Sequence, residues 1–405
     1  MTTPQRLLHG LRVLDAASFI AAPAATTVMA DFGADVIKIE PPEGDGLRAL
    51  FKQPGYPPSE VDYCWLVDNR NKRGIIVDLK RDEGRDVLYR LVRSADVFVT
   101  NMPLDARRRL KVRYADLKPL NRRLVYGSIT AYGETGAEAD RPGFDSTALW
   151  ARSGLMDWIR PAPDAPPARS VPGMGDHPTG LALFGAIMAA LYHRERTGEG
   201  TMVSTSLMAN GLWWNAIPVQ AMLLGHRFAP RPPRDQTSNA LTNMYRCRDG
   251  RWFMLVLLSE DRDWKRLAAA IGRSELLSDA RFATASDRHD NARALTAALD
   301  ATFAQKDLAE WRAILEAHRL TYGVVETLTD IPHDRQMRDS GALIPLDDAG
   351  LAGTLTVASP VWLDGHEKVP PRRAPRPGEH TVDVLREAGF SRDEIDRLLD
   401  AGVIG

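Results

Sequence analysis

Leu11-Arg-Val-Leu-Asp-Ala-Ala-Ser-Phe-Ile-Ala-Ala-Pro23 and, ten residues on, Gly33-Ala-Asp-Val-Ile-Lys-Ile-Glu40 bracket the stretch whose reading decides the fold. Leu11–Asp15 has the short apolar run of a strand, Pro23–Phe32 reads as a helix ended by Gly33, and Asp35–Glu40 is strand-like again. This is a βαβ unit. The turn entering the helix, Ser18–Pro23, contains no glycine, so it lacks the dinucleotide fingerprint, and a nicotinamide or flavin cofactor is disfavoured. Small Ala21 and Ala22 still let a ligand approach the backbone.

The alternation continues outward: strand Gly74–Leu79, helix Glu83–Ser94, strand Asp96–Thr100, a short Arg-rich helix from Pro103, and strand Leu124–Ser128. Strands alternating with helices predict a mostly parallel, Rossmann-like α/β sheet covered on both faces. Ligands in such sheets sit beyond the carboxyl ends of the strands, where Arg48, Lys80, Arg81, Arg107, Arg108, Arg109 and Arg141 gather. Each alone reads as a solvated surface charge; together they suit a phosphate-bearing ligand, because guanidinium forks match phosphate oxygens.

A second stretch carries the chemistry. Val171-Pro-Gly-Met-Gly-Asp-His-Pro-Thr-Gly180 is a glycine-rich turn leading into Gly180–Tyr192, which is apolar on every face and therefore a buried helix. Its thirteen residues are too few to span a bilayer. Asp176 stands at the mouth of this helix, where free N–H groups and the dipole favour the ionised carboxylate by about 0.3–2 kcal/mol. The residues allow two readings of Asp176, a carboxylate nucleophile and a plain helix cap.

With 52 basic against 53 acidic residues, a formal net charge of -1 and 44% hydrophobic residues in 405, the chain has the composition of a globular protein with two or three domains. Nothing in it argues for nucleic acid or an anionic membrane as partner. Cys64 and Cys247 have no metal-like spacing and do not make a disulfide framework, and no targeting or membrane segment is evident. The expectations are a cytoplasmic protein without a metal. After residue 206 the texture changes. We expect a large domain over 1–206, a helix and linker over 207–243, a small α+β domain over 244–322, and a return linker with the C-terminal part of the large domain over 323–405.

These residues resemble the class III coenzyme A transferases, the group of formyl-CoA transferase and carnitine CoA-transferase. The likeness rests on Gly10–Asp15 with Pro23, Gly33–Glu40, Asn71–Lys80, Pro142-Gly-Phe-Asp145, Gly175-Asp-His-Pro-Thr-Gly180, Arg196-Thr-Gly-Glu-Gly200 and Pro377–Thr381. What the resemblance implies is an interlocked homodimer, and an enzyme that moves coenzyme A between an acyl-CoA thioester and a free carboxylic acid. Coenzyme A is then a co-substrate, with no permanently bound cofactor. Asp176 inherits the nucleophile's role, forming an Asp–acyl anhydride and an Asp–CoA thioester in turn. A carboxylate with an ordinary pKa of about 3.9 is already ionised at pH 7 and needs no general base. N–H groups of the Gly173–Gly180 turn are the expected oxyanion donors. By the same resemblance Ala21, Val77, Lys80, Asn101, Met102, Arg109 and Leu110 hold the nucleotide, with Lys80 and Arg109 on phosphates. Ile20, Phe144, Asp145, Gly175 and His177 line the acyl pocket.

Three departures bear on the substrate. Ile20 replaces the glutamine of formyl-CoA transferase, Pro41 replaces a basic residue after the second strand and leaves Arg48 as a substitute phosphate contact, and the glycine-run loop is missing from His226–Met244. Phe19, Ile20, Phe144, Trp213 and Trp214 then point to an acyl group larger than formate or oxalate, although these residues equally suit the core or a dimer interface, and the tryptophan pair reads better as interface. The alternative on the same fold is an acyl-CoA racemase, which needs a proton-carrying histidine where Phe144 stands.

Overall fold

β1 (Arg12–Asp15), α1 (Ala21–Asp31) and β2 (Asp35–Glu40) form the expected βαβ unit in the computed structural model, which describes residues 6–351 and 353–405. With β3 (Arg73–Ile76), β4 (Val97–Thr100), β5 (Val125–Thr130) and β6 (Met202–Ser206) they build a six-stranded sheet, parallel throughout, in the order β3-β2-β1-β4-β5-β6. Successive side chains point to opposite faces, so Val13 lies in the core under α1 and Leu14 in the core on the other side. Both are fully buried, which is why these strands read as apolar runs. Strand order reverses between β1 and β4, and a ligand crevice belongs beyond their carboxyl ends.

Helix ends depart from the sequence reading in an instructive way. α1 starts at Ala21 and places Pro23 third, and the long helix runs Asp176–Thr197 with Pro178 third. Proline is harmless at both places because the first four N–H groups of a helix have no intrahelical acceptor. Gly180 lets the openings of these helices touch: a Cβ there would stand 2.9 Å from the Ala24 Cβ and strike the Ala21 carbonyl.

Several elements escape the sequence reading. Residues 41–72 contain a 3₁₀ turn, Gly46–Lys52, and α2 (Tyr63–Asn69), capped by Asp62, whose carboxylate accepts the Trp65 N–H at 2.9 Å. After Phe144 the chain makes a π-helical turn, Asp145–Ala151. The single helical stretch expected over Leu207–Pro218 is two helices, Leu207–Trp214 and Ala216–Leu223, broken at Asn215.

The chain divides into two units, one of residues 1–156, 169–226 and 335–405, the other of 157–168 and 227–334. The first holds the parallel sheet, the hairpin of β10 (Leu343–Pro345) and β11 (Leu355–Val357), and the terminal helices Thr381–Glu387 and Arg392–Asp400. The second packs antiparallel β7 (Thr242–Arg246), β8 (Trp252–Val256) and β9 (Tyr322–Val324) against three helices around Tyr245, Phe253, Phe303 and Trp311. Residues 157–168, expected within the large domain, group with the second unit, where the Trp158 ring meets Phe228 edge-on at 5.1 Å. Residues 207–226, expected as a separate helix and linker, group with the first, where Asn215 donates to the Ser153 carbonyl at 3.1 Å.

Candidate active site

The loops after β1 and β4 are sewn together at the point of strand reversal. Ser18 N–H donates to Asn101 Oδ1 at 2.8 Å and Asn101 Nδ2 donates back to the Ser18 carbonyl at 2.7 Å. The next residue, Phe19, has φ 60, a left-handed conformation uncommon for a bulky side chain. It is held there by its N–H, which donates to Asp45 Oδ1 at 3.0 Å. Asp45 in turn pairs with Lys38 at 2.8 Å, and Lys38 also donates to the Ala17 carbonyl. Beneath lies Asp15, 3.8 Å from Lys38, 2.9 Å from Lys72 and accepting from Thr26 at 2.6 Å. Burial pushes the Asp15 carboxyl up, but the two ammonium groups outweigh it and hold it below its usual range. Burial also takes Lys72 down to about 8. Such a network adds little net stability over an apolar core, yet it fixes one geometry for the loop above it.

Asp176 is the first residue of the long helix, with Gly175 as its N-cap and no side-chain cap bond, so the plain-cap reading does not hold. The expectation of a carboxylate fully ionised at pH 7 needs correction too. Partial burial, then the nearby Asp145 charge, raise the Asp176 carboxyl to about 7, against a small opposing effect of His177. Asp145, buried at the start of the π-helical turn, accepts from Ser146 N–H at 2.6 Å and from Gly175 N–H at 3.3 Å. A side chain at Gly175 would come within 2.9 Å of Leu149, so only glycine brings the turn this close to Asp145. His177 N–H and Thr179 N–H are spent on the carbonyls of Gly173 and Gly175. The broad expectation for oxyanion donors thereby narrows: among the described residues the N–H groups of Gly173 and Asp176 keep no acceptor.

Gly175, Asp176, His177 and Asp145 are thus brought together. Ile20, buried at the cap of α1, lies beside Gly173, and the exposed Phe144 ring meets Phe19 edge-on with centroids 6.1 Å apart. The expected nucleotide residues spread along the strand ends. Ala21 opens α1, and Asn101 serves the loop bridge. Val77 is a core residue whose N–H donates to the Glu40 carbonyl, and Met102 and Leu110 pack against the same core, so their side chains are spent on packing. Lys80 and Arg109 are 71% and 72% exposed, paired only with the surface carboxylates Glu43 at 2.9 Å and Asp105 at 3.0 Å. Exposed pairs of this kind are weakly held and release their cations readily. Arg48 is different. It forks onto buried Glu40 with two 2.7 Å bonds, lies 3.6 Å over the Trp65 ring and is not the free phosphate contact expected of it. Arg107 is likewise buried, donating to Glu134 at 2.8 Å.

Sequence reasoning missed Asp68, which sits on α2 and meets His177 Nε2 at 3.0 Å. The signal was available, since Asp62 three residues before Trp65 is a capping pattern that announces α2. It also missed Tyr56, whose buried hydroxyl has no partner among the described residues. Among those residues no cluster of His, Cys, Asp and Glu could hold a metal ion, and no helix is long and apolar enough to cross a membrane.

Comparison with known proteins supplies the family. The model of CoA-transferase family III matches residues 8–381. The chain is 32% identical to (R)-2-hydroxy-4-methylpentanoate CoA-transferase of Clostridioides difficile over 98% of this chain and 99% of that one. It is 31% identical to cinnamoyl-CoA:phenyllactate CoA-transferase of Clostridium sporogenes, over 98% and 97%. A crystal structure of a CAIB/BAIF family protein from Brucella suis superimposes with a TM-score of 0.84 at 30% identity, covering 95% of this chain and all of that one. A parallel sheet reversing at β1 and β4, a Gly-Asp turn at the opening of a buried helix and a family match across nearly the whole length agree: this chain belongs to CoA-transferase family III and is an enzyme that transfers coenzyme A between acyl-CoA and carboxylic acids.

Proposed function

We propose that Asp176 is the nucleophile and that the acyl group exchanged is apolar and larger than formyl, branched or aromatic. The observation that carries the first part is the placement of the Asp176 carboxyl at the opening of the long helix, with its own N–H unpaired beside it. The ionised Oδ attacks the thioester carbonyl carbon, the C–S bond breaks, and the CoA thiolate leaves behind an Asp–acyl anhydride. The thiolate then attacks the aspartyl carbonyl carbon, expelling the donor acid as its carboxylate and leaving an Asp–CoA thioester. The acceptor carboxylate attacks that carbon, the thiolate departs and returns to the acceptor's acyl carbon, and Asp176 is released ionised. Thioester energy is kept throughout because each intermediate is an activated acyl compound. The unpaired N–H groups of Asp176 and Gly173 are the donors available to an oxyanion forming here.

Support for the second part is the apolar floor and rim, Ile20, Phe19 and Phe144, together with relatives named for (R)-2-hydroxy-4-methylpentanoate, cinnamoyl-CoA and phenyllactate. Lys80 and Arg109 are the phosphate partners of choice, being exposed and weakly held. An interlocked homodimer is favoured by the apolar residues left exposed on Leu207–Leu223, of which Trp213 is 79% and Ile217 83% exposed. The racemase reading is not favoured. Phe144 carries no proton, and both nitrogens of the nearest histidine, His177, are engaged by protein acceptors.

Incubation with a panel of acyl-CoA thioesters and hydroxylamine, followed by peptide mass spectrometry, tests the reading. A hydroxamate on the Asp176 peptide, absent from Asp176→Ala, is expected. Exchange of the substrate's α-hydrogen for deuterium with no adduct and no CoA transfer overturns it.

A further inference from the structure

The residue after the nucleophile is fastened from both sides. The Nδ1 of His177 lies 3.0 Å from the Gly173 carbonyl, and its Nε2 lies 3.0 Å from Asp68 Oδ1. Neither a carbonyl nor a carboxylate can donate. A neutral imidazole has one N–H and would set a ring lone pair against one of these oxygens; only the imidazolium satisfies both.

The two acceptors are themselves fixed. Asp68 is buried on α2, where its own carbonyl accepts from Thr27 Oγ1 at 2.5 Å and Lys72 Nζ at 2.6 Å, tying it to α1 and to the buried ionic network. Gly173 has φ +80, and any side chain there would come within 3.2 Å of the His177 ring, so the turn is shaped around the imidazole. From Gly173 the chain reaches Gly175, whose N–H is held by Asp145, and then Asp176. The groups of charge around the ring are Asp68 from α2, Asp176 on its own helix, and Arg70, which lines the same largely apolar 360 Å³ cavity but is forked onto Asp31 at 2.6 and 3.0 Å.

We propose that His177 is a positioning residue that works in its doubly protonated form, bolting the Gly173–Gly175 turn to α2 and so holding the Asp176 carboxyl in place for attack. This rests on Asp176 being the nucleophile. The imidazolium also offsets part of the repulsion that Asp145 and Asp68 exert on the Asp176 charge. In the titration of the ring itself, partial burial draws the pKa down, but the Asp68 bond and charge outweigh it and the net shift is upward. His177 therefore gives up its second proton at a higher pH than an ordinary histidine, and the turn loosens on the alkaline side.

Nitrogen-15 spectra of histidine-labelled, ligand-free protein, assigned with His177→Gln, test this directly. Protons on both ring nitrogens at pH 7 are expected, and Asp68→Asn, which keeps an acceptor oxygen but removes the charge, should lose the second proton at lower pH. In steady-state assays with 4-methylpentanoyl-CoA and 2-hydroxy-4-methylpentanoate, the alkaline limb of kcat should move to lower pH in Asp68→Asn. His177→Gln should lower kcat by on the order of 10–100-fold with KM little changed. A singly protonated ring in the wild-type protein at pH 7, or identical ring titration in Asp68→Asn, overturns the inference. Because the spectra need no acyl-CoA, a neutral ring would sink His177 while leaving the Asp176 hydroxamate in place. A missing hydroxamate would sink the nucleophile and leave the ring as it is.

Discussion

Replacing Asp176 by asparagine should make the protein more stable, and increasingly so as the pH rises. In the folded chain partial burial and Asp145 lift this carboxyl from its ordinary 3.8 to about 7. Raising the folded-state value above the unfolded one means that the folded protein binds more protons between these limits, so stability falls as pH climbs from about 4 to about 7 and then levels. Three units at about 1.36 kcal/mol each give about 4 kcal/mol, and solvent at the half-buried group reduces this to roughly 2–4 kcal/mol. Asparagine is nearly the same size and carries no charge to desolvate. For a chain of this length the gain amounts to roughly 2–5 °C in the unfolding midpoint at pH 8, shrinking towards zero near pH 4. Urea or thermal unfolding of wild type and Asp176→Asn across that range measures it. A difference that does not change with pH, or a variant less stable than wild type at pH 8, refutes the reasoning. With Asp176 as the proposed nucleophile, this is the trade expected of an active site, where a group placed for chemistry costs folding energy.

Other consequences follow from the same geometry. Asp145→Asn removes the like charge, so the Asp176 carboxyl should ionise at lower pH and the acid limb of the pH–rate profile for CoA exchange should shift down. Lys80→Ala and Arg109→Ala should leave the urea midpoint unchanged while raising KM for acyl-CoA with kcat unchanged, since both cations sit in weak exposed pairs. Gly180→Ala should destabilise by about 1–3 kcal/mol, read by thermal unfolding, because its methyl drives the openings of α1 and the long helix apart. Arg48→Ala should cost about 3–5 kcal/mol in urea unfolding, since it strands buried Glu40 without its fork.

The parallel sheet was legible in the sequence because burial on both faces writes each strand as an apolar run bounded by turn residues, and because short crossover helices leave parallel pairing as the outcome. The Gly-Asp turn was legible for a similar reason: glycines and a lone acid before an apolar helix are a local pattern. The family resemblance added the expectation that Asp176 is the nucleophile. The strand order, however, is a long-range property, and with it the sewing of Ser18 to Asn101 across 83 residues. α2 was lost in a polar stretch, so Asp68 could not be connected with His177, 109 residues away. Arg48 and Lys80 look alike in sequence, yet one is forked onto a buried carboxylate and the other stands in solvent. Most telling is Asp176 itself. Sequence determines which residue ends the turn and begins the helix, since capping and glycine conformation act over a few neighbours. Its readiness to ionise depends on how much water the packed loops exclude and on how near Asp145 is brought, and those are decided only when distant segments fold onto one another.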